Sequence, residues 1–144
     1  MAAQFLHTRI CTGAEIPVIE DWLKIPYVDY GRSRLGCDCW GLVRMVRHEL
    51  FGHELPSFGL IAPDNKRALT KAANTVISEN LTPTTTPKHG TIATVWRGVV
   101  CTHVGIVLLI DGRLAVLETN KGSGPRWMRL GDFQKIHPII KYYD

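Results

Sequence analysis

The sequence predicts an α+β domain, with helices in the first half and an antiparallel sheet in the second. Apolar residues recur at helical spacing in two stretches before residue 81, and from Gly90 onward the period changes to two. Asp111-Gly112, set between two alternating apolar runs, is a strong hairpin signal. Helices followed by an antiparallel meander make an α+β architecture, and 144 residues suit a single domain with a real core.

Residues 1–20 hold a short apolar segment (Phe5, Leu6, Ile10) and a loop around Pro17. Trp22, Leu23, Ile25 and Tyr27 follow, with Pro26 limiting any helix to a short turn before it. The strongest helix is predicted over 39–51. Leu42, Val43, Val46 and Leu50 follow Cys39 at offsets of one helical face, Asp38 is a good N-cap residue, and Gly52 suits the left-handed position that ends a helix. Residues 53–63 read as a loop. Asn65 to Asn80 reads as a second helix, with Ala68, Leu69, Ala72, Ala73, Val76 and Ile77 on its apolar stripe. Thr82 to Lys88 is a Thr/Pro-rich connection. Strands are predicted at Thr91–Trp96, His103–Ile110, Arg113–Thr119 and Pro125–Leu130, with a last one over Ile136–Tyr143 interrupted by Pro138.

The net charge of +4 and pI near 9.0 suit an anionic partner such as nucleic acid or cell-wall polymer without choosing between them. No Lys/Arg run supports a nucleic-acid footprint, so none is expected to bind. The N-terminus lacks the charged and apolar regions of a signal peptide, and no apolar stretch is long enough to span a membrane. Cys11, Cys37, Cys39 and Cys101 read as reduced thiols of a protein made in a cytosol.

Cys39 is the candidate nucleophile. In the first helical turn a thiol faces unpaired backbone N–H groups and the positive end of the helix dipole, which favour the thiolate. A cysteine nucleophile needs a base and a group to orient that base. His103, opening an apolar strand, is the candidate base; the bland alternative is a strand-end histidine satisfied by hydrogen bonds. Gly105 leaves room for close backbone approach. Beyond the Asp111-Gly112 turn, Leu114, Val116, Glu118 and Asn120 share one strand face. Glu118 on that face is the candidate orienter, accepting Nδ1–H from His103. Asn120 offers the same service without the charge, and a solvated strand-end Glu118 is the alternative.

Pro26-Tyr27, the Asp-Cys-x-Gly-Leu core within Gly36–Val43, and Thr102-His103-Val104-Gly105-Ile106-Val107 resemble the NlpC-type papain-like peptidoglycan endopeptidases. The match is nearest to single-domain members encoded among bacteriophage tail genes, whose lead-in is similar to Gly31-Arg32-Ser33-Arg34, and it covers about residues 20–130. The resemblance implies a papain-like fold, with the cysteine on a helix start packed on an antiparallel sheet. It implies Cys39 attacking a γ-D-glutamyl amide of a peptidoglycan stem peptide, His103 as base, and Tyr27 and Asp38 lining the substrate site. Trp40, beside the nucleophile, is read as a core or groove-wall residue and is placed with the substrate-contacting residues. The family's third polar residue is usually a histidine on the next strand; here Val116 falls nearest that place, and Glu118 is the substitute.

His48 and His53 are five apart rather than the four a zinc-protease helix needs, and Cys-x-Cys lacks a paired second motif, so neither a metal nor another cofactor is expected. With no signal peptide and no wall-binding repeat, the resemblance implies a protein made in the host cytoplasm and carried in a virion, at a tail tip or baseplate beside other tail proteins, opening the wall locally during DNA entry. The alternatives are a structural tail hub with a degenerate peptidase fold, supported by the absent histidine, and an acyltransferase or amidase on another γ-glutamyl or lipid substrate.

Overall fold

Two cores, one on each face of a single sheet, organise the chain. The computed structural model describes residues 19–57 and 65–144, so the expected apolar segment and Pro17 loop within residues 1–18 and the end of the 53–63 loop lie outside the described residues. Helices α1 (Ile19–Leu23), α2 (Cys39–Phe51), α3 (Lys66–Asn80) and α4 (Leu130–Ile136) accompany strands β1 (Arg32–Ser33), β2 (Gly36–Cys37), β3 (Pro83–Thr84), β4 (Ile92–Arg97), β5 (Val100–Ile110), β6 (Arg113–Asn120), β7 (Gly124–Arg129) and β8 (Ile140–Tyr143). The mixture is α+β, with an antiparallel six-stranded sheet in the order β3-β8-β4-β5-β6-β7.

Alternation along the central strands sorts side chains between the cores. Ile106 and Leu108 of β5 and Ala115 and Leu117 of β6 pack with Leu42, Val43, Val46 and Leu50 of α2 and Val76 of α3. Val107 and Val116 turn the other way and pack with Ala93, Val95 and Phe133 of α4. The Asp111-Gly112 turn joins β5 to β6 with both residues at positive φ, 54° and 77°, the geometry a tight hairpin turn demands.

Three expectations need correction. The stretch 136–143 is not one interrupted strand: α4 runs to Ile136, and β8 starts only at Ile140, after Pro138. Phe133 is fully buried on the second sheet face, and that burial outweighs the weak local strand pattern. The Thr82–Lys88 connection contains β3, which pairs with β8 (Pro83 with Tyr143), so the sheet extends past the meander. Strand β5 starts at Val100, three residues before the predicted start. Among the described residues, no helix is long and apolar enough to cross a membrane.

Candidate functional site

Helix α2 begins at Cys39 because Asp38 caps it. Asp38 sits in extended backbone and its Oδ1 accepts from the Gly41 N–H at 2.8 Å. The same oxygen accepts from Arg32 Nη1 at 2.6 Å, and Arg32 Nε donates to the Ser57 carbonyl at 2.8 Å. Asp38 is buried, so one carboxylate ties the helix start to the β1–β2 hairpin. At the far end Gly52 takes the left-handed conformation at φ 70°.

Tyr27 is held beside the cysteine by backbone bonds. Cys37 N–H donates to the Pro26 carbonyl at 3.0 Å and Val28 N–H to the Cys37 carbonyl at 3.1 Å, so Tyr27 and Cys37 form a parallel bridge. Burial pushes the Tyr27 phenol above its usual range, and Asp29, Cys39 and Asp38 push the same way, so it stays a neutral hydroxyl. Trp40 is buried, with its indole Nε1 donating to the Pro56 carbonyl at 2.9 Å.

His103 sits where β4 and β5 slip in register. Val95 pairs with His103 and Trp96 with Cys101, leaving Thr102 as the extra residue of a bulge; bulges recur where a strand re-aims a side chain. His103 is 7% exposed, and it lines the same cavity as Cys39, which favours its protonated form. His103 Nε2 lies 2.7 Å from Glu118 Oε1. This corrects the predicted use of Nδ1 for Glu118: the carboxylate, coming from the neighbouring strand, meets the other ring nitrogen.

Glu118 is not a solvated strand-end residue; it is 1% exposed. Its Oε2 accepts from Arg126 Nε at 2.9 Å, with Arg126 directly opposite in the β6–β7 register. Burial raises the Glu118 carboxyl, but His103 and Arg126 outweigh it and hold it below the usual carboxylate range. Burial alone would lower the imidazole; Cys39 and Glu118 raise it instead, to about 9. Asn120 lines the same cavity, and no hydrogen bond joins it to His103 among those the structure defines.

Cys39, His103, Tyr27, Asp38 and Trp40 line one cavity of about 460 Å³, a volume within the small-ligand range. Its mouth carries Asp29 and Lys121, paired at 3.2 Å across the cleft. Its inner wall is apolar, from Leu69, Ala73 and Ile77 of α3 to Ile92 and Val104 of the sheet. The fully buried Thr119 also lines it, with a hydroxyl that has no hydrogen-bond partner.

The sequence reading missed Arg126, Arg32 and the α3 wall. The β7 register carried a readable signal for Arg126: the turn at Lys121–Gly124 sets 126 across from 118. His137 is another surprise, its ring centroid 6.3 Å from that of His103 and 4.5 Å from that of Phe133. Among the described residues no group of three or more His, Cys, Asp or Glu side chains is placed to hold a metal ion. No protein-family model matches the chain, and no curated protein matches it either.

Chemically, the arrangement is a thiol at a helix start, an imidazole that can take its proton, and a buried carboxylate that holds the imidazole. Such a set suits nucleophilic attack on an acyl group.

Proposed function

We propose that this protein is a papain-like cysteine peptidase of the NlpC type, cleaving a γ-D-glutamyl amide in peptidoglycan stem peptides. The observation that carries the reading is that Cys39 and His103 line one cavity while His103 Nε2 lies 2.7 Å from the buried Glu118 carboxylate. The resemblance in the Asp38–Leu42 and Thr102–Val107 segments supplies the substrate class and the setting, a phage tail tip or baseplate that opens the wall during DNA entry.

In this reading the thiol proton has passed to the His103 ring, and Cys39 Sγ attacks the amide carbonyl as a thiolate. The tetrahedral oxyanion receives the Cys39 backbone N–H at the start of α2. The C–N bond then breaks, His103 gives its proton to the departing amine, and a thioester remains on Cys39. Water attacks the thioester with His103 as base, releasing a carboxylic acid and the free thiol. Tyr27, Asp38 and Trp40 form the wall beside the nucleophile; Asp38 acts there chiefly through the helix start and Arg32, since its Oδ1 is already engaged.

The deciding experiment incubates the purified protein with defined muropeptides. Cleavage at the γ-D-glutamyl bond by the wild type, absent in Cys39→Ala, is expected. Undigested muropeptides with the wild type would leave the structural tail-component reading in its place.

A further inference from the structure

A carboxylate beside the imidazole of an ionised thiol–imidazole pair raises a charge problem. A thiolate, an imidazolium and a carboxylate sum to one net negative charge. Here the imidazole and the carboxylate are withdrawn from water, His103 7% exposed and Glu118 1% exposed, and Cys39 is half-buried. An uncompensated charge in such surroundings is costly, and the usual outcome is that a group takes up a proton to remove it.

The chain does not stop at Glu118. Each carboxylate oxygen has its own partner, Oε1 with His103 Nε2 at 2.7 Å and Oε2 with Arg126 Nε at 2.9 Å. Arg126 thus fixes the carboxylate plane and adds the missing positive charge. We infer that Arg126 is the positioning and charge-balancing residue of the site, making the row Cys39–His103–Glu118–Arg126 neutral when the thiol is ionised. This rests on the reading of Cys39 as a nucleophile, but not on the peptide substrate.

The groups facing this row can be named element by element. Asp38 and Tyr27 adjoin Cys39, and Asp38 is itself paired with Arg32. His137, beyond α4, adjoins His103 and Glu118; burial and its neighbour His103 hold its imidazole below the ordinary range, so it is neutral near pH 7. Lys121 is paired with Asp29. Lys66 of α3 lines the same cavity, its Nζ donating to the Thr102 carbonyl at 3.1 Å, and burial keeps the neighbouring Cys37 and Cys101 as neutral thiols. Arg126 is therefore the cation that contacts Glu118 from the far side. Its side chain is 48% exposed, so changing it leaves the core untouched.

The test measures the pH dependence of Cys39 alkylation by iodoacetamide, which needs no peptide substrate. Removing the cation lowers the net charge of the row, so every proton in it binds more tightly. In Arg126→Gln the midpoint for thiolate formation is expected to rise by about half a pH unit or more. Arg126→Lys, which keeps the charge, is expected to stay within a few tenths of a unit of wild type. Glu118→Gln combined with Arg126→Gln restores neutrality, and its midpoint is expected closer to wild type than that of Arg126→Gln alone, a coupling that separate structural damage would not give. A profile for Arg126→Gln superimposed on wild type overturns the inference, as does a double variant no nearer to wild type than the single one. Slow, pH-independent labelling in every variant would instead overturn the nucleophile reading, and muropeptide inactivity with normal labelling would overturn only the substrate.

Discussion

Glu118 reaches His103 diagonally, not directly across. The register that pairs Ile106 with Leu117 sets Gly105 opposite Glu118 one step on, and still the 2.7 Å contact runs to the ring two residues further along β5. Diagonal neighbours in an antiparallel pair lie within reach of long side chains. The space is open because Gly105 has no side chain: a Cβ there would sit 2.8 Å from Val116 Cγ1 and 3.6 Å from Glu118 Cβ. A glutamate spans the diagonal that a valine at the preceding same-face position does not.

Glu118→Ala is expected to cost both activity and stability. It leaves a buried imidazole without its anion, and breaking a buried pair from one side costs on the order of 3 kcal/mol. Muropeptide turnover is expected to fall on the order of 100-fold, in the range of losing an electrostatic partner of the reacting groups. Chemical denaturation and a turnover assay on the same preparation check both. Turnover equal to wild type would remove Glu118 from the site.

Stability should depend on pH in a definite direction. His103 is raised to about 9 from an ordinary value near 6.5, so its contribution is complete below 6.5 and is lost as pH rises through 9. Glu118 is lowered from about 4.5, so its contribution is complete above 4.5 and is lost as pH falls further. The denaturant midpoint is expected to be highest between about pH 4.5 and 6.5 and to decline toward pH 9, with a flatter alkaline side in Glu118→Gln. A wild-type midpoint that is constant from pH 6 to 9.5 would contradict the coupling.

Among the cysteines of the described residues, thiol labelling should single out Cys39. Cys37 and Cys101 are both fully buried. Burial pushes Cys37 up to about 12, with Asp38 and Cys39 adding to it, and burial likewise pushes Cys101 up to about 11. Cys39 is half-buried at the cavity wall. Mass spectrometry after brief iodoacetamide treatment near neutral pH is expected to find adduct on Cys39 and none on Cys37 or Cys101. Equal modification of all three would show that the helix start gives no selectivity.

Gly41→Ala should destabilise the protein although alanine is the better helix former by ~1 kcal/mol. A Cβ at 41 would sit 2.1 Å from the Gly31 carbonyl oxygen, a backbone atom of the loop strapped against the helix start. The helix or the loop has to move, at a cost of about 1–3 kcal/mol, as overpacking in a tight site usually brings. A lowered melting temperature together with slower Cys39 alkylation is the expected pair of readings. An unchanged melting temperature would mean that the loop gives way freely.

Much of the architecture was legible because its signals are local. Helix α2 begins and ends at the residues that Asp38 and Gly52 indicated, and α3 begins after Asn65, whose side chain accepts from the Ala68 N–H at 3.1 Å. The β5–β6 hairpin follows from Asp111-Gly112. What failed was non-local. Nothing within 130–136 announces a helix; Phe133 turns there because the sheet face carrying Val107 and Val116 needs cover. Strand β3 exists only because β8 folds back beside β4.

The site divides along the same line. The capped cysteine, the histidine opening an apolar strand and the carboxylate on an apolar strand face were readable along the chain, because capping, periodicity and turn chemistry act over a few residues. Packing set which ring nitrogen faces Glu118, that Glu118 rather than Asn120 contacts His103, and that Arg126 closes the row. Those outcomes depend on strand register, on a one-residue bulge at Thr102 and on the empty space at Gly105, which exist only once distant segments have packed together.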